Sequence, residues 1–133
     1  MIETAAEFIK LSSSDVYEEY TRAAHEEAPL AVWEQVIEEF PEYRFGVAHN
    51  KTVPVEILRV LSADPDPRVR WMVAMKRKLP EELQLIVARD SDDGVRLALA
   101  SNRKATEMAL VILATDSCED VRERAVSRLK DGS

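Results

Sequence analysis

The sequence predicts an all-α protein, an α-solenoid of stacked two-helix repeats with a period of 26 residues and an N-terminal helical cap. Three observations carry that prediction. A block of 26 residues recurs without gaps, apolar residues keep helical spacing through each copy, and the ingredients of a sheet protein are scarce. Three glycines and 6% aromatics in 133 residues leave little for hairpin turns or packed strands. With 46% hydrophobic and 32% charged residues the chain is globular and long enough for one core. A single domain over 1–133 is expected.

Residues 1–28 do not share the repeat. Ala5, Phe8 and Ile9 place a first amphipathic helix. Ser13 or Ser14 then caps a second, with Val16, Tyr20 and Ala23/Ala24 on one face. These two helices form the cap, with a polar outer face. Repeats follow at 29–52, 53–78, 79–104 and 105–130. Asp64, Asp90 and Asp116 share one column, Val69, Val95 and Val121 the next conserved step, and Arg70, Arg96 and Arg122 the column after it. One period upstream lie Arg44, Val47, Ala48 and Asn50, in the slightly shorter copy opened by Pro29.

Each repeat reads as two short helices. The first runs from Pro54, Pro80 or Thr106 to about Ala63, Arg89 or Thr115, with proline at the first helical position, where its missing N–H costs nothing. The second begins after Asp66-Pro67, Asp92-Asp93 or Cys118-Glu119. Asp66 and Asp92 suit the N-cap, and the acids beside them suit the positive end of the helix dipole. Helices this short do not persist alone in water, so stacked neighbours must hold them.

On the second helix Val69, Val73, Ala74 and Arg77 point one way, and Arg70 lies inside that arc. A guanidinium there needs fixed acceptors, which loop carboxylates or carbonyls supply. The alternative is an arginine row for phosphate or carboxylate ligands. The opposite face carries Phe45, Trp71, Leu97 and Glu123 in one column and His49, Met75, Ser101 and Ser127 in another. Phe45, Trp71, Leu97, His49 and Met75 are candidate partner-binding residues, with Trp71 foremost, since exposed aromatics and methionines anchor partners. Burial between adjacent repeats is the competing reading.

Charge is uneven. Residues 1–50 hold 3 basic and 11 acidic side chains, a net of −8, whereas residues 51–133 hold 15 and 14, a net of +1. Such a surface repels nucleic-acid phosphates and anionic membranes and favours a basic protein partner. Glu34, Glu38 and Glu42 follow i, i+4, i+8 spacing as an acidic ridge, with Glu27 and Glu39 nearby, away from a Leu30/Trp33/Ile37/Phe40 face. The ridge either steers a basic partner or simply solvates the helix.

Catalytic chemistry has no recognisable motif. His25 and His49 lack a cysteine or serine at a telling spacing, and neither a Glu-x-x-His pair nor His-Glu-x-x-His occurs. No enzyme, cofactor or metal is expected. One cysteine, Cys118, excludes an intrachain disulfide framework. The longest apolar run, Met108 to Ala114, is too short to cross a bilayer, and the first residues carry no basic leader; a cytoplasmic protein is expected.

Leu79-Pro80, Leu83, Ala88, Asp90, Asp92, Val95-Arg96, Leu99-Ala100 and Asn102 form a pattern that resembles the short HEAT-like α-solenoid repeats, including the leucine-rich-repeat-variant branch. The resemblance covers about residues 29–130. Cys118 in place of the second Asp and Arg128 in place of Asn mark the last copy as degenerate. The resemblance implies a curved stack of helix pairs that binds partners, and an inter-repeat ladder in which Asp64/Arg70, Asp90/Arg96 and Asp116/Arg122 take part. For a small acidic chain without catalytic motifs it also implies a bacterial toxin-immunity protein that occludes a basic, nuclease-type toxin. Other HEAT-like proteins imply a scaffold or assembly factor, a bilin lyase or a DNA glycosylase.

Overall fold

The computed structural model describes residues 1–132. Among them it contains ten α-helices, one 3-10 helix and no strand, so the protein is all-α. The chain forms two compact units, Met1–Leu61 and a second that begins at Ser62. The division falls inside the 53–78 repeat, after its first helix.

The first unit contains α1 (Ala5–Ser12), α2 (Tyr17–His25), α3 (Leu30–Glu39), a 3-10 turn (Pro41–Tyr43), α4 (Arg44–His49) and α5 (Val55–Leu61). Thr4 opens α1: its hydroxyl accepts the Glu7 N–H, and the Glu7 carboxylate reaches back to the Glu3 N–H at 2.7 Å. Helix α1 packs on α2 and α3 and buries Ala5, Phe8 and Leu11, so Leu11 completes a face for which Ile9 was expected. Phe8 meets the fully buried Trp33 edge to face, with centroids 5.1 Å apart. On α3 the buried face is Val32, Trp33 and Val36. The expected Leu30/Trp33/Ile37/Phe40 face is corrected accordingly: the helix starts at Leu30, and that residue is exposed. On α2 the contact face is reduced to Ala23 and Ala24, while Val16 and Tyr20 are exposed. Neither Ser13 nor Ser14 is the N-cap of α2. That position is Val16, whose N–H is held by the Ser14 hydroxyl.

Asn50 ends α4 and is fully buried. Its amide donates to the carbonyls of Ala23 and Glu26, and its oxygen accepts the Thr52 N–H. One side chain thereby fixes the turn after α4 and ties it to the end of α2. Burial of such a polar group is stable because all its hydrogen-bonding capacity finds partners.

The second unit contains α6 (Pro67–Ala74), α7 (Glu81–Val87), α8 (Asp93–Ser101), α9 (Glu107–Leu113) and α10 (Glu119–Lys130). Helix α8 packs on α6, α7, α9 and α10. Val73, Leu83, Leu99, Leu110 and Leu113 are wholly buried at the core of this unit. Asp66 and Asp92 cap α6 and α8, accepting from the N–H groups of Arg68 and of Gly94 and Val95 respectively. Pro67 occupies the first position of α6, whereas Pro80 is the N-cap of α7 and Thr106, not a first helical residue, caps α9 through its hydroxyl. The first helices are also shorter than the sequence suggests, each giving way to a turn near Ser62, Ala88 and Ala114. Gln84 is buried and fully engaged: it donates to the Leu79 and Lys104 carbonyls and accepts from the Thr106 N–H.

Candidate functional site

A cleft of about 260 Å³ opens in the first unit. Its lining comes from α1 (Ser12), α2 (Tyr20, Ala23, Ala24), the 3-10 turn (Glu42, Tyr43) and α4 (Phe45, Gly46, His49). The cleft exists because small residues sit where helices approach. Ala23 and Ala24 are buried, and a Cβ on Gly46 would lie 3.0 Å from the Ser12 hydroxyl and 3.4 Å from the Phe8 ring. Large rings then stand around this small-residue base. His49 lies 6.4 Å from Tyr20 and 6.5 Å from Phe45, measured between centroids, and is nearly parallel to Phe45. The polar groups of the lining are one carboxylate, one imidazole, two phenol hydroxyls and one serine hydroxyl, with no lysine or arginine. Arg44 is not among the lining residues and donates through Nε to the Ile37 carbonyl at 2.8 Å, tying α4 to the end of α3.

This arrangement brings together residues that the sequence placed in two separate groups. Phe45 and His49, from the candidate aromatic face, share the cleft with Glu42, from the acidic ridge. The ridge is not one continuous helix: α3 ends at Glu39, so only Glu34 and Glu38 lie on it, both exposed, and Glu42 belongs to the 3-10 turn. Pro41 enforces that break, since it has no N–H to continue the helix. Tyr43 and Ser12 were not singled out from the sequence, and Tyr20 was placed only on the packing face of the second helix. Ser12 and Tyr20 lie outside the repeat, Tyr43 stands in the Val69/Val95/Val121 column where the other copies carry valine, and only the packing of α2 against α4 brings Tyr20 to His49.

The remaining candidates lie in the second unit. Trp71 on α6 is 39% exposed and Met75, the C-cap of that helix, is 45% exposed. Leu97 on α8 is half-buried, and Glu123 on α10 is exposed. Trp33, by contrast, is core and unavailable to a ligand.

The Asp and Arg columns form a regular network here. Arg70 donates through Nε and Nη2 to the Asp90 carboxylate at 2.8 and 3.2 Å, and through Nη1 to the Asp64 carbonyl at 2.7 Å. Twenty-six residues on, Arg96 does the same to the Asp116 carboxylate at 2.8 and 3.1 Å and to the Asp90 carbonyl at 2.7 Å. Arg122 donates to the Asp116 carbonyl. Within a repeat the arginine therefore uses the main chain of the aspartate six positions before it, and the carboxylate it grips is 20 positions ahead. Each carboxylate also accepts an N–H two residues on, from Asp66, Asp92 or Cys118. The hydrogen bonds to Asp90 and Asp116 raise the pKa of Arg70 and Arg96 respectively. Burial pushes the Asp116 carboxyl upward, but the hydrogen bonds from Arg96 and Cys118 and the charges of Arg96 and Arg122 outweigh it and hold it below its usual 3.8.

Asn102 repeats the role of Asn50, donating to the Ala74 and Lys76 carbonyls and accepting from Lys104. Arg128 occupies the same column and donates to the Ala100 and Asn102 carbonyls, both at 2.8 Å. The substitution that marked the last copy as degenerate thus keeps the contact.

No group of three or more His, Cys, Asp or Glu suited to a metal ion is present among the described residues, and no helix there is long and apolar enough to cross a membrane. His25 contacts the Thr21 carbonyl on its own helix. No family model, curated protein or solved structure matches the chain.

Proposed function

We propose that this protein is a cytoplasmic, HEAT-like α-solenoid that binds a basic protein, acting as an immunity protein against a nuclease-type toxin without turnover. The observation that carries this reading is where the charge sits. The first unit holds 12 acidic and 5 basic side chains, a net of −7, while the second holds 13 of each. The whole net charge of the molecule is therefore on the unit that carries the aromatic cleft and the exposed Glu34 and Glu38. A groove that holds nucleic-acid phosphates must be positive, so an acidic, ring-bearing surface is its natural competitor. The repeating Arg–Asp network and the paired roles of Asn102 and Arg128 support a stack in which each helix pair grips the next. On the second unit the exposed Trp71 and Met75 are candidate apolar anchors for the partner.

The test is inhibition of purified basic nuclease toxins, followed by stopped-flow association over a range of salt. Association should slow about tenfold or more between low and high salt, as electrostatic steering requires. Glu34→Lys combined with Glu38→Lys should slow association, and Trp71→Ala should speed dissociation. An association rate indifferent to salt and to both variants would remove the proposal, as would tight binding of duplex DNA at low salt.

A further inference from the structure

We propose that the cleft of the first unit is a receptor for a single arginine side chain. The inference rests on the proposed basic partner only for the source of that arginine. The geometry stands apart from it. Tyr20, Phe45 and His49 all line the cleft and neighbour one another, with centroids 6.4 and 6.5 Å apart, so a side chain entering it meets aromatic rings, whose faces attract positive charge. Glu42 supplies a carboxylate at the same cleft, and the hydroxyls of Ser12 and Tyr43 supply neutral acceptors. The unit around it carries a net charge of −7, which concentrates cations near its surface.

Size and shape select the ligand within that class. A volume of about 260 Å³ lies below the range of sites for drug-sized metabolites but accommodates one side chain. A planar guanidinium stacks on ring faces while its N–H groups fork onto a carboxylate, and its hydration is weaker than that of an ammonium. Rings plus a lone carboxylate are the surroundings that use both properties. The tight approach of Gly46 to Ser12 and Phe8 lets α4 lie close against α1 at the base of the cleft.

The experiment titrates the intact chain with N-acetyl-arginine methylamide at about pH 8, where the guanidinium is fully charged. Shifts of the ring resonances of Tyr20, Tyr43, Phe45 and His49 are followed by NMR. The neutral citrulline analogue and the lysine analogue serve as comparisons. Saturable shifts at these four rings are expected, with the citrulline analogue and the Glu42→Gln variant each weaker by about fivefold or more. Phe45→Leu keeps an apolar side chain on α4 and should weaken binding similarly, its far-ultraviolet spectrum confirming the fold. Equal binding of citrulline, shifts centred elsewhere, or no saturation overturns the proposal; equal binding of the lysine analogue overturns the choice of guanidinium. Arginine binding in a protein that captures no basic toxin would refute the functional reading and leave the cleft assignment standing. Toxin binding without any response to the arginine probe would do the reverse.

Discussion

Replacing Arg96 with methionine tests what holds the second unit together. The Arg96 and Asp116 side chains are only 14% and 8% exposed. Methionine keeps most of the apolar stem and deletes three donors, two to the Asp116 carboxylate and one to the Asp90 carbonyl. Removing one partner of a buried pair costs about 3–5 kcal/mol. Asp116 keeps its bond from the Cys118 N–H and some access to water, so Arg96→Met should cost about 2–3 kcal/mol. Urea unfolding of the full chain, followed by far-ultraviolet circular dichroism, should show a midpoint lower by about 1 M or more. The double variant Arg96→Met/Asp116→Leu should recover most of the loss, because the uncompensated carboxylate is then gone. The sign with pH is also fixed. Asp116 titrates below its usual 3.8 in the folded protein, so its contribution is complete above that value and fades as pH falls through the lower, folded value. The gap between wild type and Arg96→Met should therefore narrow on acidification. A midpoint shift near zero at neutral pH, or a gap that widens in acid, would refute the reasoning. Arg68→Met is the contrasting case, since the Arg68 side chain is 83% exposed in its pair with Asp66 and its loss should scarcely move the midpoint.

Two further predictions concern single positions. Gly46→Leu should destabilise by about 2 kcal/mol through overpacking against Ser12 and Phe8 and should weaken binding of the arginine probe by pushing α4 away from α1, whereas Gly46→Ala should leave stability near wild type, its better helix propensity offsetting a small shift of the Ser12 hydroxyl; urea unfolding and the NMR titration read both. Arg128→Met should cost about 1 kcal/mol in the same unfolding assay by removing its bonds to the Ala100 and Asn102 carbonyls, of which Asn102 keeps the Ala105 N–H, and Arg128→Lys should recover only part, because one ammonium replaces a rigid fork.

The all-α class and the position of most helices were legible in the residues alone. Apolar spacing and capping residues are local signals, and they located α6 and α8 through Asp66 and Asp92 almost to the residue. The sequence also singled out the Asp and Arg columns, because a charge recurring at a fixed spacing inside an apolar arc demands a partner. Which partner each arginine takes emerged only once the helices were packed. Arg70 and Arg96 use carboxylates 20 residues away, a distance that has no sequence signature until helices pack. The cleft was legible only in fragments for the same reason. Phe45 and His49 share a helix and Glu42 precedes it, so periodicity reached them, although Pro41 broke the acidic ridge that their spacing suggested. Tyr20 and Ser12 come from segments without the repeat, and they reach His49 and Gly46 because alanine and glycine let backbones approach closely. Whether an exposed ring becomes a wall of a cavity depends on the size of what lies behind it, and that is settled by packing.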